Sequence, residues 1–306
     1  MIEQRTLTPE CGPEQGFLDP AFQPVLPRIL PQLALLTGLG DRSQEAARKA
    51  VAGLGQAGAR TCIDGGSRLL LSLRAEASAS RKVSVLTPLA SPDGSQRALW
   101  EQRWMGPGCL PKPWRIEAFP PQGEAWKAAR EAARASSRLE RLQQLQARLG
   151  PLGSIRFVAR SSSGTGCWIG WQLDRSSGPL EALRSCGLED LWTPASRLFG
   201  LLLGRPPRPR SRPWSLALWL SPEEESLRLG TSLWGFQPED AAKRVRLRRT
   251  VEEVGGDACF LEAAYKLLAA ARPRQRRRAC LGRAAELEIR NENITGLEIF
   301  LRPLAA

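Results

Sequence analysis

The chain has 306 residues, 42% of them apolar, with 44 Lys and Arg against 31 Asp and Glu, a formal net charge of +13 and no histidine. Without histidine there is no Ser-His or Cys-His nucleophile, no HExxH zinc site and no imidazole base, so chemistry falls to carboxylates, Lys, the single Tyr265, backbone dipoles or the substrate itself. No run approaches the roughly 18 apolar residues that a spanning helix needs, and the seven cysteines are scattered without any CxxC spacing, which speaks against a zinc site and a disulfide framework.

The opening MIEQRTLTPE lacks the basic start and apolar block of a signal peptide. The expectation is a cytosolic protein with reduced thiols, no membrane span, no metal and no cofactor. The Arg-dominated charge points to anionic partners: a phosphorylated small molecule, RNA or an acidic protein. A GC-rich genome that encodes Arg in place of Lys would leave the same composition.

Residues 1–40 read as an extended, Pro-rich lead-in, with Pro24, Pro27 and Pro31 leaving Val25–Leu36 at best a broken helix. Residues 41–306 read as one repeat-built domain, which begins with a helix Gln44–Leu54 capped by Asp41 or Ser43. One pattern then recurs four times, two short strands followed by helix. Leu69–Glu76 and Lys82–Thr87 precede a helix Glu124–Leu149; Ser154–Arg160 and Cys167–Asp174 precede Leu180–Leu203; Trp214–Ser221 and Ser226–Trp234 precede Glu239–Leu268; Ala284–Arg290 and Thr295–Leu304 close the chain. Trp114–Phe119 alternates weakly and reads as an extra edge strand beside the first pair, while Ala98–Lys112 has no clear assignment. The Arg/Pro segments Arg205–Pro213 and Arg272–Arg278 read as exposed connectors.

Successive strand residues point to opposite faces. One face is rich in Leu and Ile, exemplified by Leu69, Leu71 and Leu73, by Leu216, Leu218 and Leu220, and by Leu297, Ile299 and Leu301. The other carries Arg68, Ser72 and Arg74; Arg156 and Arg160, opposite Phe157 and Ala159; Trp168, Gly170 and Gln172; Trp219; Arg228 and Trp234; Glu286, Glu288 and Arg290; and Glu298, Phe300 and Arg302. Helices must cover the apolar face. Left open, the second face would expose Trp168, Trp219, Trp234 and Phe300 together, and an open sheet also keeps two edges. The predicted fold is therefore α/β (α+β): antiparallel β-hairpins each followed by helices, the sheet curled or closed into a barrel with the helices outside and a polar, aromatic lumen within.

Antiparallel strand pairs, each followed by helices packed outside a barrel, resemble the ABBA-type aromatic prenyltransferases. The likeness covers the chain from about residue 44 and rests on repeat order and strand polarity, with no signature motif. It implies an allylic diphosphate held in the lumen by Arg and Lys, a carbocation shielded by aromatic side chains, and alkylation of an aromatic acceptor without an Asp-rich magnesium motif. On that implication Arg68, Arg74, Arg156, Arg160, Arg228 and Arg302 are candidate diphosphate ligands, because guanidinium and phosphate oxygens pair bidentately. Trp168, Trp219 and Trp234 are the candidate shield or acceptor platform, and Glu286, Glu288 and Glu298 the candidate proton acceptors. A strand Arg facing a strand Glu is more often a cross-strand ion pair than a ligand site, and a strand Trp is more often packing than a ligand contact.

The alternative is a non-catalytic RNA-binding or assembly protein that uses external Arg clusters at Arg205–Arg212, Lys243–Arg249 and Arg272–Arg278. The discriminating feature is where the Arg side chains converge, inside a closed sheet or outside it.

Overall fold

A computed structural model describes residues 26–39, 45, 70–77, 81–89, 98–106, 113–120, 124–161, 166–208, 212–221, 225–233, 240–270 and 280–303. Ten antiparallel strands close on themselves: β1 (Leu70–Glu76), β2 (Arg81–Leu89), β3 (Ala98–Met105), β4 (Trp114–Ala118), β5 (Gly153–Ser161), β6 (Cys167–Leu173), β7 (Trp214–Leu220), β8 (Glu225–Ser232), β9 (Cys280–Arg290) and β10 (Asn293–Pro303). Each pairs with its sequence neighbours, and β10 returns to β1 with Leu73 opposite Ile299 and Arg74 opposite Glu298. Closure leaves none of these ten strands with an open edge to template aggregation.

Five strand pairs are present, one more than the repeat pattern predicts. The unassigned Ala98–Met105 is β3, and Trp114–Ala118 is β4, an interior strand between β3 and β5. The missing assignment of β3 has a visible cause: Trp100, Gln102 and Trp104 share its lumenal face, so its inner residues are as bulky as its outer ones.

The helices pack outside: α1 (Leu26–Leu36), α2 (Ala125–Ala135), α3 (Leu139–Leu149), α4 (Pro179–Ser185), α5 (Trp192–Leu203), α6 (Ala241–Glu253) and α7 (Ala258–Ala270), with a 3-10 turn at Glu189–Leu191. Three stretches predicted as single helices are each broken. Ser137, at φ 55, separates α2 from α3; Gly187, at φ 77, follows α4; and Gly255, at φ 72, lies between α6 and α7. The broken helix expected at Val25–Leu36 is instead continuous across Pro31 and buries Leu30 and Leu33. Asp240 caps α6, accepting from the amides of Ala242 and Lys243 at 2.9 and 3.3 Å. The expected helix Gln44–Leu54 falls outside the described residues except for Glu45.

The core lies between barrel and helices. Leu73, Val83, Val158, Ile169, Trp171, Leu216, Leu229, Leu287, Ile299 and Leu301 are fully or almost fully buried on the outer face of the strands. Phe199 of α5 meets Trp214 edge-on at 5.1 Å, and Trp171 Nε1 donates to Gln146 Oε1 of α3 at 3.1 Å. At roughly 2–3 kcal/mol for each large side chain taken from water, this layer fixes which strand face points inward.

The lumen as candidate binding site

Cross-strand partners share a face, so the register defines the lumen. One ladder runs Arg74, Glu298, Glu286, Gly230, Ser215, Gln172 around β1, β10, β9, β8, β7 and β6. A second runs Trp100, Ile116, Ala159, Trp168, Trp219, Ser226, Arg290 from β3 to β9. Inward aromatics such as Trp100, Phe157, Trp168, Trp219 and Phe300 keep partial exposure, whereas the outward Trp171 and Trp214 are 0% and 1% exposed. The inner face therefore borders accessible space.

The lumen has two unlike halves. From β3 to β7 it is aromatic and uncharged: Trp100, Trp114, Ile116, Phe157, Trp168 and Trp219. Trp219 stands 5.3 Å from Trp114 and 5.6 Å from Trp168, ring centre to ring centre. Glycine makes part of this wall possible: a Cβ on Gly170 would overlap the Phe157 ring. From β8 round to β2 the wall is charged, with Arg228, Glu286, Glu288, Arg290, Glu298, Arg74, Glu76 and Lys82. The halves meet at two cation–π contacts, Arg228 over Trp168 at 4.2 Å and Arg74 over Trp104 at 5.8 Å. Beside the second contact, Ser72 and Ser84 hydroxyls bond at 2.7 Å and Gln102 Nε2 donates to Ser84 at 2.8 Å.

The charges are interlocked. Arg74 bridges Glu288 and Glu76, the latter at 2.7 Å; Lys82 also reaches Glu76, at 2.9 Å. Arg290 donates through Nε and Nη2 to one oxygen of Glu288 at 2.9 and 2.8 Å. Arg228 Nη1 lies 3.0 Å from Glu298 and 3.6 Å from Glu286. Burial, then repulsion from Arg228, lowers the Arg74 pKa to about 10. Burial opposes ionisation of Glu76, but Arg74 and Lys82 outweigh it and hold the carboxyl below its ordinary range. Glu286 behaves oppositely. Burial pushes its carboxyl up to about 7, the attraction of Arg228 not sufficing to restore it beside Glu298.

Of the residues singled out from the sequence, Arg74, Arg228, Trp168, Trp219, Glu286, Glu288 and Glu298 converge on this lumen. Arg68 and Trp234 lie outside the described residues, and Arg302 lies on β10 opposite Leu281. Arg156 and Arg160 are elsewhere. A bulge between Ile155 and Phe157 flips the face of β5, turning Phe157 and Ala159 inward and Val158 and Arg160 outward. Arg160 donates to the Ala128 carbonyl of α2 at 3.2 Å, and Arg156 at the bulge donates to the Phe119 carbonyl at 2.9 Å. The lumenal placement expected for Arg160 is thus corrected. Strict alternation missed Lys82, which stands directly across from Arg74, and it missed the Trp100–Trp104–Trp114 side because β3 and β4 were not paired.

No protein-family model matches the chain, and no curated protein matches it. Solved structures do. The 6-dimethylallyltryptophan synthase from Micromonospora olivasterospora, in complex with DMASPP and Trp, is 13% identical with a TM-score of 0.64, covering 91% of this chain and 96% of that one. AnaPT from Neosartorya fischeri is also 13% identical at a TM-score of 0.64, covering 95% of each chain. The prenyltransferase PriB, as a binary complex with product diphosphate, is 15% identical at a TM-score of 0.62, covering 92% of this chain and 96% of that one. At such identities the likeness is one of fold.

Proposed function

From the premise that the chain folds as an ABBA-type prenyltransferase barrel, we propose that its lumen binds an anionic, partly apolar small molecule and transfers a prenyl group from an allylic diphosphate to an aromatic acceptor. The observation that carries this reading is the two-sided lumen. One wall supplies Arg74, Lys82, Arg228 and Arg290 for a diphosphate, the other supplies Trp168, Trp219 and Trp114 for an apolar chain and a ring, and Arg228 on Trp168 joins them. The solved structures named above add support, since one holds diphosphate and another DMASPP with Trp.

In the reaction the C1–O bond of the donor breaks and its electron pair leaves on the diphosphate oxygen. Guanidinium groups offset that developing charge. The Trp168 and Trp219 faces stabilise the allylic cation by their quadrupoles. A carbon of the acceptor ring bonds to C1, and its proton passes to a carboxylate. Of the facing pair Glu286 and Glu298, the carboxylate that carries no proton suits that role.

The test is incubation with dimethylallyl diphosphate and a panel of indoles and phenols, followed by assay of diphosphate release and mass analysis of the acceptor. A prenylated acceptor whose formation is lost in Arg228→Ala supports the reading. Donor binding without any transfer reduces it to a binding protein, and the absence of both refutes it.

A further inference from the structure

Among the described lumenal residues four cations, Arg74, Lys82, Arg228 and Arg290, face four carboxylates, Glu76, Glu286, Glu288 and Glu298. Among these residues the charges therefore balance before an anion arrives. The pairing is uneven. Glu76 has Arg74 and Lys82, and Glu288 has Arg74 and Arg290. Glu286 and Glu298 stand directly opposite each other across β9 and β10 and share one guanidinium, Arg228 of β8.

Of the other groups around the pair, Arg74 attracts both carboxylates, but without a direct bond to either. Arg74 of β1 lies across from Glu298 but is bound to Glu288 and Glu76. Beside Glu286, β8 offers Gly230, where a Cβ would come within 3.1 Å of the Glu286 Cγ, and β7 offers only Ser215 next to that glycine. Glu298 is 3% exposed, yet among the described residues neither of its carboxyl oxygens accepts a hydrogen bond of good geometry. Two carboxylates opposed around a single cation repel each other, and a buried acceptor without a donor is costly.

An anion that docks on Arg228 draws that cation away from both carboxylates and adds negative charge beside them. Both effects favour the protonated carboxyl. We propose that the Glu286–Glu298 pair is a proton-exchanging counterion: it holds Arg228 in the empty lumen and takes up a proton when a diphosphate docks there, so that anion and proton enter together. This rests on the lumen being the anion site. The ordinary consequence is an affinity that falls as pH rises. The titration of Glu286 near 7 places that fall at neutral to mildly alkaline pH.

The test is calorimetric titration of the full chain with inorganic diphosphate from about pH 6 to about pH 8.5, each point in two buffers of different ionisation enthalpy, which yields both Kd and protons exchanged. The same series on Glu286→Gln and Glu298→Gln removes the probe's own titration, which is common to all three proteins. Expected is an excess uptake approaching about one proton per diphosphate in the unaltered chain over Glu286→Gln at the alkaline end, and a Kd that weakens up to about tenfold per pH unit more steeply than in that variant. Glu298→Gln should flatten the profile similarly. Equal proton uptake and equal slopes in all three proteins overturn the proton linkage while leaving the anion site intact. No diphosphate binding at any pH overturns the anion site, and the linkage with it.

Discussion

Glu286 shows how far burial can move one residue. Its carboxyl is raised from an ordinary value of 4.5 to about 7, so between those values the folded chain holds a proton that the unfolded chain has released. The sign follows directly: stability from this group is greatest below about pH 4.5 and is lost as pH rises toward 7. Glu286→Gln removes the buried charge, so it should stabilise the fold by on the order of 2–3 kcal/mol at pH 8 and by little at pH 4.5. Urea denaturation at the two pH values checks this; an equal effect at both would mean that Glu286 ionises freely. Arg228 and Arg160 make the companion comparison. Arg228→Ala should weaken dimethylallyl diphosphate binding by roughly 10- to 100-fold, the worth of a charge-assisted pair, while Arg160→Ala, on the outer face against α2, should change it by less than about 3-fold. Alternation alone exposed Glu286, Glu288, Glu298 and Arg228 in the sequence. It could not reveal that each Arg is already held by a Glu, because pairing depends on register between strands far apart in the chain.

At the scale of elements, β5 carries the lesson. The run Ser154–Arg160 looks like simple alternation, and a bulge after Ile155 inverts it. No residue in that run is a glycine or proline that would announce a bulge. The compensating signal lies on the neighbouring strand: Gly170 is small because the inverted Phe157 ring lies against it. Gly170→Ala should therefore cost about 1–3 kcal/mol through overpacking. The double change with Phe157→Ala should cost less than the sum of the two single changes, a coupling measurable by thermal melts in a double-mutant cycle. Strictly additive losses would place the ring away from Gly170. The helices teach the same point. Apolar periodicity persists on both sides of Ser137, Gly187 and Gly255, so each pair of short helices reads as one long one, although all three positions adopt positive φ.

At the scale of the molecule, closure turns a polar and aromatic sheet face into an interior. Strand count and polarity made a curled sheet legible, but closure depends on the β1–β10 seam, whose partners are separated by most of the chain. The seam pairs Leu71–Glu76 with Gly296–Leu301 without a gap, so amide exchange at Leu73, Ile299 and Leu301 should be as slow as at Leu216 and Leu218 in β7. Exchange at the seam on the scale of minutes, against much slower exchange in β7, would indicate an open sheet. Outside the barrel, part of the Arg surplus is tied up: Arg248 pairs with Glu252 and Glu262, and Arg197 with Glu253. Lumenal and external Arg groups thus make different demands on a ligand, one a small amphiphilic anion and the other a polyanion. The most direct measurement is calorimetric titration of nucleic-acid-free protein with dimethylallyl and geranyl diphosphate, with a short RNA run alongside at physiological salt. The account predicts saturable, micromolar binding of a prenyl diphosphate that weakens by roughly 10- to 100-fold in Arg228→Ala. Salt-sensitive RNA binding without any diphosphate binding would contradict it and move the function to the outer surface.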